Sequence, residues 1–434
     1  MKFSERIVRT GLFLMIGLSF YLSYLIWWSP ATRDPSIVND LETGVHNEQN
    51  YKEASEIFLP LRLARLNEDE IEETNNESLI KNVQAGIVNA GYSELRLKKH
   101  DSLAGFVEDA KIEQGLELSY AAAFPLSAYL DTFHLNMNID DELKREESFL
   151  RVQIDFKHEK IRFLNREKLT ILEAEITSGM NEFQHAVKNG SGEWIAMQRD
   201  TQLSPYQYFT TQPINLKMYS YISSTRPFTV FRDAFFTDAK NLRSNDSTSE
   251  LNFFDNTGSM SIQQEARTVD FHGVMAIDDS FSIYSKSYQY IRELGTSYGS
   301  LRLFDQSKNQ VDYRMFVEGY PVFSTNEDGK ITVRFVDNGQ ENQKNVDIRA
   351  SMNMFQVPIP SDIEISLPAS HDITEKLYLY GMDSDELGMM LIGYSWRNVQ
   401  DTGVVDLEPE WYIQYGDQWY SYQELLDKLQ ESEG

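Results

Sequence analysis

Hydrophobic and polar positions follow two regimes along this chain: one unbroken apolar run near the start, then some four hundred residues of short, mixed patterns. The run from Gly11 to Trp28 holds 18 residues without a charge. As a helix rising about 1.5 Å per residue it spans about 27 Å, close to the thickness of a bilayer's hydrocarbon core. Lys2, Arg6 and Arg9 precede it and the balanced pair Arg33 and Asp34 follows, so the positive flank places the N-terminus in the cytoplasm and the bulk of the chain outside. Trp27 and Trp28 stand at the expected exit, where indoles favour the membrane interface. A cleaved signal peptide is the rival, since Ser29-Pro-Ala31 supplies small residues at a suitable spacing. Against it, the run exceeds an h-region of about 7 to 15 residues and the bulky tryptophans abut the site. A buried soluble helix is the third reading.

After a polar, turn-rich stalk over 31–50, the periods alternate between helix and strand. Ser55 to Arg65 is a mixed run compatible with a strand; Asn76 to Asn89 places Leu79, Val83 and Ile87 at helical spacing; Tyr92 to Leu97 alternates. Gly115 to Ala123 predicts a strand, and Phe124 to Phe133 a helix opened by Pro125, whose fixed φ suits a first turn. Leu150 to Phe156, Lys160 to Leu164 and Leu169 to Ile176 alternate as a meander. Met180 to Lys188 suits a helix, Glu193 to Gln198 and Ile214 to Ile222 suit strands, and Thr229 to Phe236 suits a helix. Short strands then close at Phe271, with Asn256-Thr-Gly258 as a turn. The order repeats after Gly273: a helix over Asp279 to Leu294, strands over Ser300 to Phe304 and Val311 to Glu318, then Gly319 to Phe323. Asn326 to Gly329 signals a hairpin leading into Lys330 to Val336. At the end, Gly416-Asp417 as a two-residue turn pairs Trp411 with Tyr422, Ile413 with Tyr420 and Tyr415 with Gln418. Leu425, Leu426 and Leu429 on a terminal helix cover the aromatic face as core rather than as a ligand cage.

These patterns predict an α+β chain: a single N-terminal transmembrane helix, then a multidomain extracytoplasmic portion of antiparallel sheets. The expected divisions are a cytoplasmic tail over 1–10, an anchor over 11–28, a stalk over 31–50, and α+β domains over 51–148, 149–273 and 274–434. The last two share an order of helix then strands and so a similar topology.

Composition narrows the function. The chain has 434 residues and no cysteine, so its external part relies on packing and hydrogen bonds, as in bacteria that export few disulfide-bonded proteins. Asn189-Gly-Ser191 and Asn245-Asp-Ser247 read as surface turns. Lys plus Arg number 40 against 67 Asp plus Glu, a net charge of −27, which disfavours nucleic acid and anionic polymers. Phosphate-binding glycine patterns, Gly-x-Ser-x-Gly, His-Glu-x-x-His and the kinase and lactamase signatures do not occur. No two of the seven histidines lie closer than 24 residues, so paired-histidine metal motifs are excluded, and no cofactor or catalytic residue is singled out. Asp140-Asp-Glu142, Glu146-Glu147 and Asp383-Ser-Asp-Glu386 read as solvated turns and helix faces. Asn326-Glu-Asp-Gly329 lacks the alternating ligands of a calcium loop. By elimination, interaction gains over catalysis.

Several features then meet in one family. The basic N-terminus with a helix ending in Leu25-Ile-Trp-Trp-Ser-Pro-Ala31, the segment Ala234-Phe-Phe-Thr-Asp-Ala-Lys-Asn-Leu-Arg243, Glu318-Gly-Tyr-Pro-Val-Phe323, and Leu407-Glu-Pro-Glu-Trp-Tyr-Ile-Gln-Tyr-Gly416 with Trp419-Tyr420 together span nearly the whole chain. In their order the chain resembles the YycH family, membrane-anchored accessory proteins of low-GC Gram-positive bacteria that work with the YycG (WalK) sensor histidine kinase. The resemblance implies three external domains, the later two sharing a fold with the companion protein YycI. It implies no catalysis. It implies contacts to the kinase and to a YycI-like partner that tune signalling through the YycF (WalR) response regulator, and hence cell-wall metabolism; a homodimer stays open. Within the anchor, Ser19 and Ser23 lie four apart on the face of Leu12, Ile16 and Ile26, a small-xxx-small surface for another helix. The alternative has both hydroxyls bonded to their own preceding turn. Two other functions compete: a surface protein that captures a cell-wall component or peptide, which a deep aromatic-lined groove would favour, and an external hydrolase, which needs two convergent carboxylates in a pocket.

Overall fold

Asn76 accepts a hydrogen bond from the Leu79 amide and so starts the helix Glu77–Asn89, whose Leu79, Ile80, Val83 and Ile87 are all buried. This agreement between sequence and structure recurs along the chain wherever the signal is local. The computed structural model describes Met15 and residues 52–434, except 69, 189–192, 237–241, 247–249, 279–280, 296–299, 401 and 433–434. Apart from Met15, the expected anchor Gly11 to Trp28 lies outside the described residues, as do Ser19, Ser23 and the stalk. Among the described residues no helix is long and apolar enough to cross a membrane.

Residues 51–434 form one compact unit, an α+β arrangement of two large, mostly antiparallel sheets. Among the described residues the first sheet has ten strands. It runs in the order Tyr208–Phe209, Ile195–Arg199, Glu70–Thr74, Arg62–Asn67, Gln114–Pro125, Ser148–Asp155, Lys160–Asn165, Thr170–Ser178 and Gly91–Tyr92, with Arg96–Lys99 also on Thr170–Ser178. The expected meander is its centre. Because Gln114–Pro125 pairs with Ser148–Asp155, the division anticipated between 148 and 149 runs between two paired neighbours of one sheet. Likewise the division at 273–274 falls inside the strand Thr268–Ala276.

The second sheet has fourteen strands among the described residues. Its first part is two copies of one order. A helix, Phe228–Phe235, leads into four short strands ending with Thr268–Ala276. A second helix, Ile283–Glu293, leads into Leu301–Ser307, Gln310–Val317, Lys330–Asp337 and Gln343–Ser351, with Tyr320–Phe323 branching off between the second and third. The last strands of the two copies pair antiparallel, Thr268 opposite Ser351 through Ala276 opposite Gln343. The two helices share one side, where Phe235, Phe271 and Tyr290 rings meet at 5.4 to 6.2 Å.

Four further expectations differ from the structure. Ser55 to Arg65 begins as the helical turn Ala54–Ile57, and its strand starts only after Pro60, at Arg62. Ile214 to Ile222 is two strands, because Ile214–Lys217 pairs with Glu364–Leu367 while Tyr219–Thr225 joins the large sheet. Lys330–Asp337 pairs with Gln310–Val317 and not with Tyr320–Phe323, which turns back on Phe316 and Val317 and then lies parallel to the strand Leu387–Val399. The terminal hairpin holds as read at Ile413 with Tyr420 and Tyr415 with Gln418, but Tyr422 opens the helix Tyr422–Ser432 instead of facing Trp411. Gly416 sits at φ +60° in that turn. Trp411 and Ile413 are buried with Leu425, Leu426 and Leu429. The two large sheets meet across an aromatic core, in which Tyr284 stacks edge-on to Phe124 at 5.0 Å and donates to the Ala123 carbonyl at 3.0 Å.

Candidate functional site

Alternation along Ser148–Asp155 puts Arg151 and Gln153 on the face opposite Val152 and Ile154. In a half-exposed sheet that polar face would meet water. Here it is covered by the helix Leu103–Ala110 and by residues 200–210, and it carries a row of polar side chains in register. Glu117 stands opposite Gln153, Gln153 opposite Arg162, and Arg162 opposite Glu173. Gln153 donates to Glu117 at 2.8 Å and to the Ala110 carbonyl at 2.9 Å; Arg162 donates to Gln153 at 3.3 Å and pairs with Asp109 at 3.3 Å. Glu117 is 1 % exposed and pairs with Arg151 at 2.9 Å. Although burial works against its charge, Arg151 is raised above its ordinary pKa by Glu117 beside it. One strand away, Arg62 pairs with Glu73 at 3.2 Å and donates to the Met390 carbonyl, tying the first sheet to the C-terminal strands.

Above this floor opens a cleft of about 790 Å³, within the range of small-ligand sites. Arg62, Glu117, Arg151 and Gln153 form its base, Tyr206, Gln207 and Tyr208 one wall, and Leu387 to Met389 with Gln414 the other. Gln207 holds the walls together, donating to the Gly388 carbonyl and accepting from the Met390 amide at 3.0 Å. Two more guanidiniums enter: Arg166 lies over the Tyr206 ring at 4.3 Å, and Arg199 beside the Tyr208 ring at 5.5 Å, with Arg151 on that same ring at 5.8 Å. Burial, with Arg151 nearby, lowers Arg166 from its ordinary pKa, and burial raises both tyrosines. The strand Gln114–Pro125 leaves its ladder between Ser119 and Phe124, so the small residues Ala121 to Ala123 face the cleft. Asp305 closes one end. Burial raises its carboxyl to about 6, against the Trp419 indole donating at 2.8 Å and the Gln306 amide at 2.7 Å. With both Glu117 and Asp305 engaged by donors, the base resembles a binding surface more than a poised acid and base.

The sequence-predicted features are distributed elsewhere. Asp140 caps the helix Asp141–Glu146 by accepting from the Glu142 and Leu143 amides, and Asp383-Ser-Asp-Glu386 is an exposed turn whose Asp385 and Glu386 reach the mouth of the cleft. Tyr412 and Trp419 belong to a buried aromatic group with Phe304 and Phe323, Phe323 stacking on Tyr412 at 3.6 Å. A cluster that histidine spacing could not reveal brings His371, Asp372 and Glu375 on the helix Ser370–Leu379 within 4.8 Å; both carboxylates are exposed, and the other His371 nitrogen meets Asp200 at 3.2 Å. No local motif marks the cleft arginines: Arg151 and Arg199 stand singly on their strands, Arg62 shares its strand with Arg65, and Arg166 lies in the turn after Lys160–Asn165. The signal becomes legible once Gln114–Pro125 is set beside the meander, where Gln153 faces Glu117 and Arg151 follows on the same side opposite Ser119.

A family model described as the C-terminal domain of YycH protein matches residues 205–426, half of the chain. The crystal structure of YycH from Bacillus subtilis is similar with a TM-score of 0.65 at 15 % sequence identity, over 86 % of this chain and 97 % of that one. At that identity the likeness concerns the fold. Among curated proteins there is no match.

Proposed function

Because the chain belongs to the YycH family, we propose that it is a regulator in the YycG sensor histidine kinase system and not an enzyme. Gly11 to Trp28 holds it in the cell membrane with residues 1–10 in the cytoplasm and the sheets outside. There it contacts the kinase and a YycI-like accessory protein and so adjusts signalling to cell-wall metabolism. The family match over residues 205–426 carries this reading. It is supported by the quoted motifs Glu318 to Phe323 and Leu407 to Gly416, whose aromatic residues fill the core: they build the fold and leave the surface for partners. Crosslinking in intact membranes followed by pull-down tests it. The full chain is expected to recover the kinase or a YycI-like partner, and the double change Ser19→Leu with Ser23→Leu to reduce that recovery at equal expression. Recovery of neither partner would remove the reading; unchanged recovery by the double variant would remove the serine contact. A second activity, capture of a cell-wall component or peptide, is favoured by the cleft beside Tyr206 and Tyr208.

A further inference from the structure

We propose that this cleft binds a short zwitterionic peptide, its carboxylate held by Arg166 and Arg199 and its ammonium end by the acidic mouth at Asp385, Glu386 and Asp417. The proposal rests on the second reading above and gives it a ligand.

Charge pairing inside the cleft is the first ground. Arg62 is matched by Glu73 and Arg151 by Glu117. Arg166 and Arg199 have no close ion-pair partner among the described residues: Arg166, with the charges of Asp385 and Glu167 nearby, donates to the Leu387 carbonyl, and Arg199 donates to the Ile112 carbonyl, each at 3.4 Å, and reaches the Tyr208 hydroxyl. Both guanidiniums are oriented by tyrosine rings and keep free donors. A partly buried guanidinium without a directly paired carboxylate is costly, and its planar fork matches one. Unsatisfied polar groups are the second ground. Tyr206 is 8 % exposed and lines the cleft, and its hydroxyl has no hydrogen-bond partner among the described residues; the same holds for Nε of Arg62. These atoms are enclosed as they stand, so a peptide supplies the amides and carbonyls they lack only as the Tyr206 and Arg62 side chains turn toward it.

The opening carries both signs and the chain as a whole is acidic. Asp385, Glu386 and Asp417 border the opening together with Lys111 and Lys308, all exposed, and a net charge of −27 repels multivalent anions at long range. A ligand positive at one end and negative at the other suits both. Between the ends, Leu150 and Met389 offer apolar contact, and Ala121 to Ala123 admit a backbone closely. The volume of about 790 Å³ accommodates a few residues.

Titration calorimetry on the full chain in mild detergent tests this with trialanine as the probe. Trialanine is expected to bind; its C-terminal amide to bind about tenfold more weakly, and N-acetyl trialanine about threefold more weakly. Arg166→Gln and Arg199→Gln should each weaken trialanine about tenfold, with Arg397→Gln, outside the cleft, unchanged. Should either cleft variant melt early, the ranking of the three peptides on the wild-type chain decides. No binding of trialanine up to about 10 mM, equal affinity for the amide, or equal affinity for acetate or phosphate would overturn the proposal. Kinase recovery is a separate readout, so loss of peptide binding leaves the regulator reading standing.

Discussion

Asp305, on the strand Leu301–Ser307, ties two distant parts of the second sheet together through one side chain. Its carboxyl accepts from Trp419 on the terminal hairpin, and burial holds it at about 6 against an ordinary 3.8. The folded state therefore binds this proton more tightly than the unfolded chain does. The stability it contributes is fully present below about pH 4 and is lost as pH rises through about 6. Asp305→Asn removes the titration without changing shape. Between pH 4 and pH 7 the stability of the wild type minus that of the variant should fall by about 1–3 kcal/mol, read from urea unfolding. A difference that stays flat across this range contradicts the burial argument.

Elements written in local sequence were readable. The helix Glu77–Asn89 has its cap and its apolar spacing within one segment, and the turn at Gly416-Asp417 sets the register of its own hairpin. Elements whose partners lie far away were not. Tyr320–Phe323 reads as one side of a hairpin until the strand Leu387–Val399 is placed beside it. The same holds for the site: alternation marks Arg151 and Gln153 as a polar face, but only the covering by Leu103–Ala110 and residues 200–210 makes that face the floor of a cleft. The turn before Tyr320 shows how closely distant elements meet. Gly319 has φ +82°, and a Cβ there would lie 1.9 Å from the Asn75 carbonyl oxygen. Gly319→Ala should cost at least about 2 kcal/mol, seen as a lowered midpoint in thermal unfolding. A midpoint equal to wild type would mean that Asn75 and this turn can separate freely.

Across residues 51–434, two large sheets share one aromatic core, and the strands cross both anticipated divisions. The helix-then-strands order of Phe228–Ala276 does recur over Ile283–Ser351, as the sequence suggested, with the two copies fused through Thr268–Ala276 and Gln343–Ser351. The central claim is regulation of the kinase, and the phosphorylated fraction of the YycF response regulator in living cells reads it most directly. Deleting the chain should change that fraction at least about twofold, and re-expressing the full chain should restore it. An unchanged fraction, with kinase and regulator levels held equal, would contradict the account.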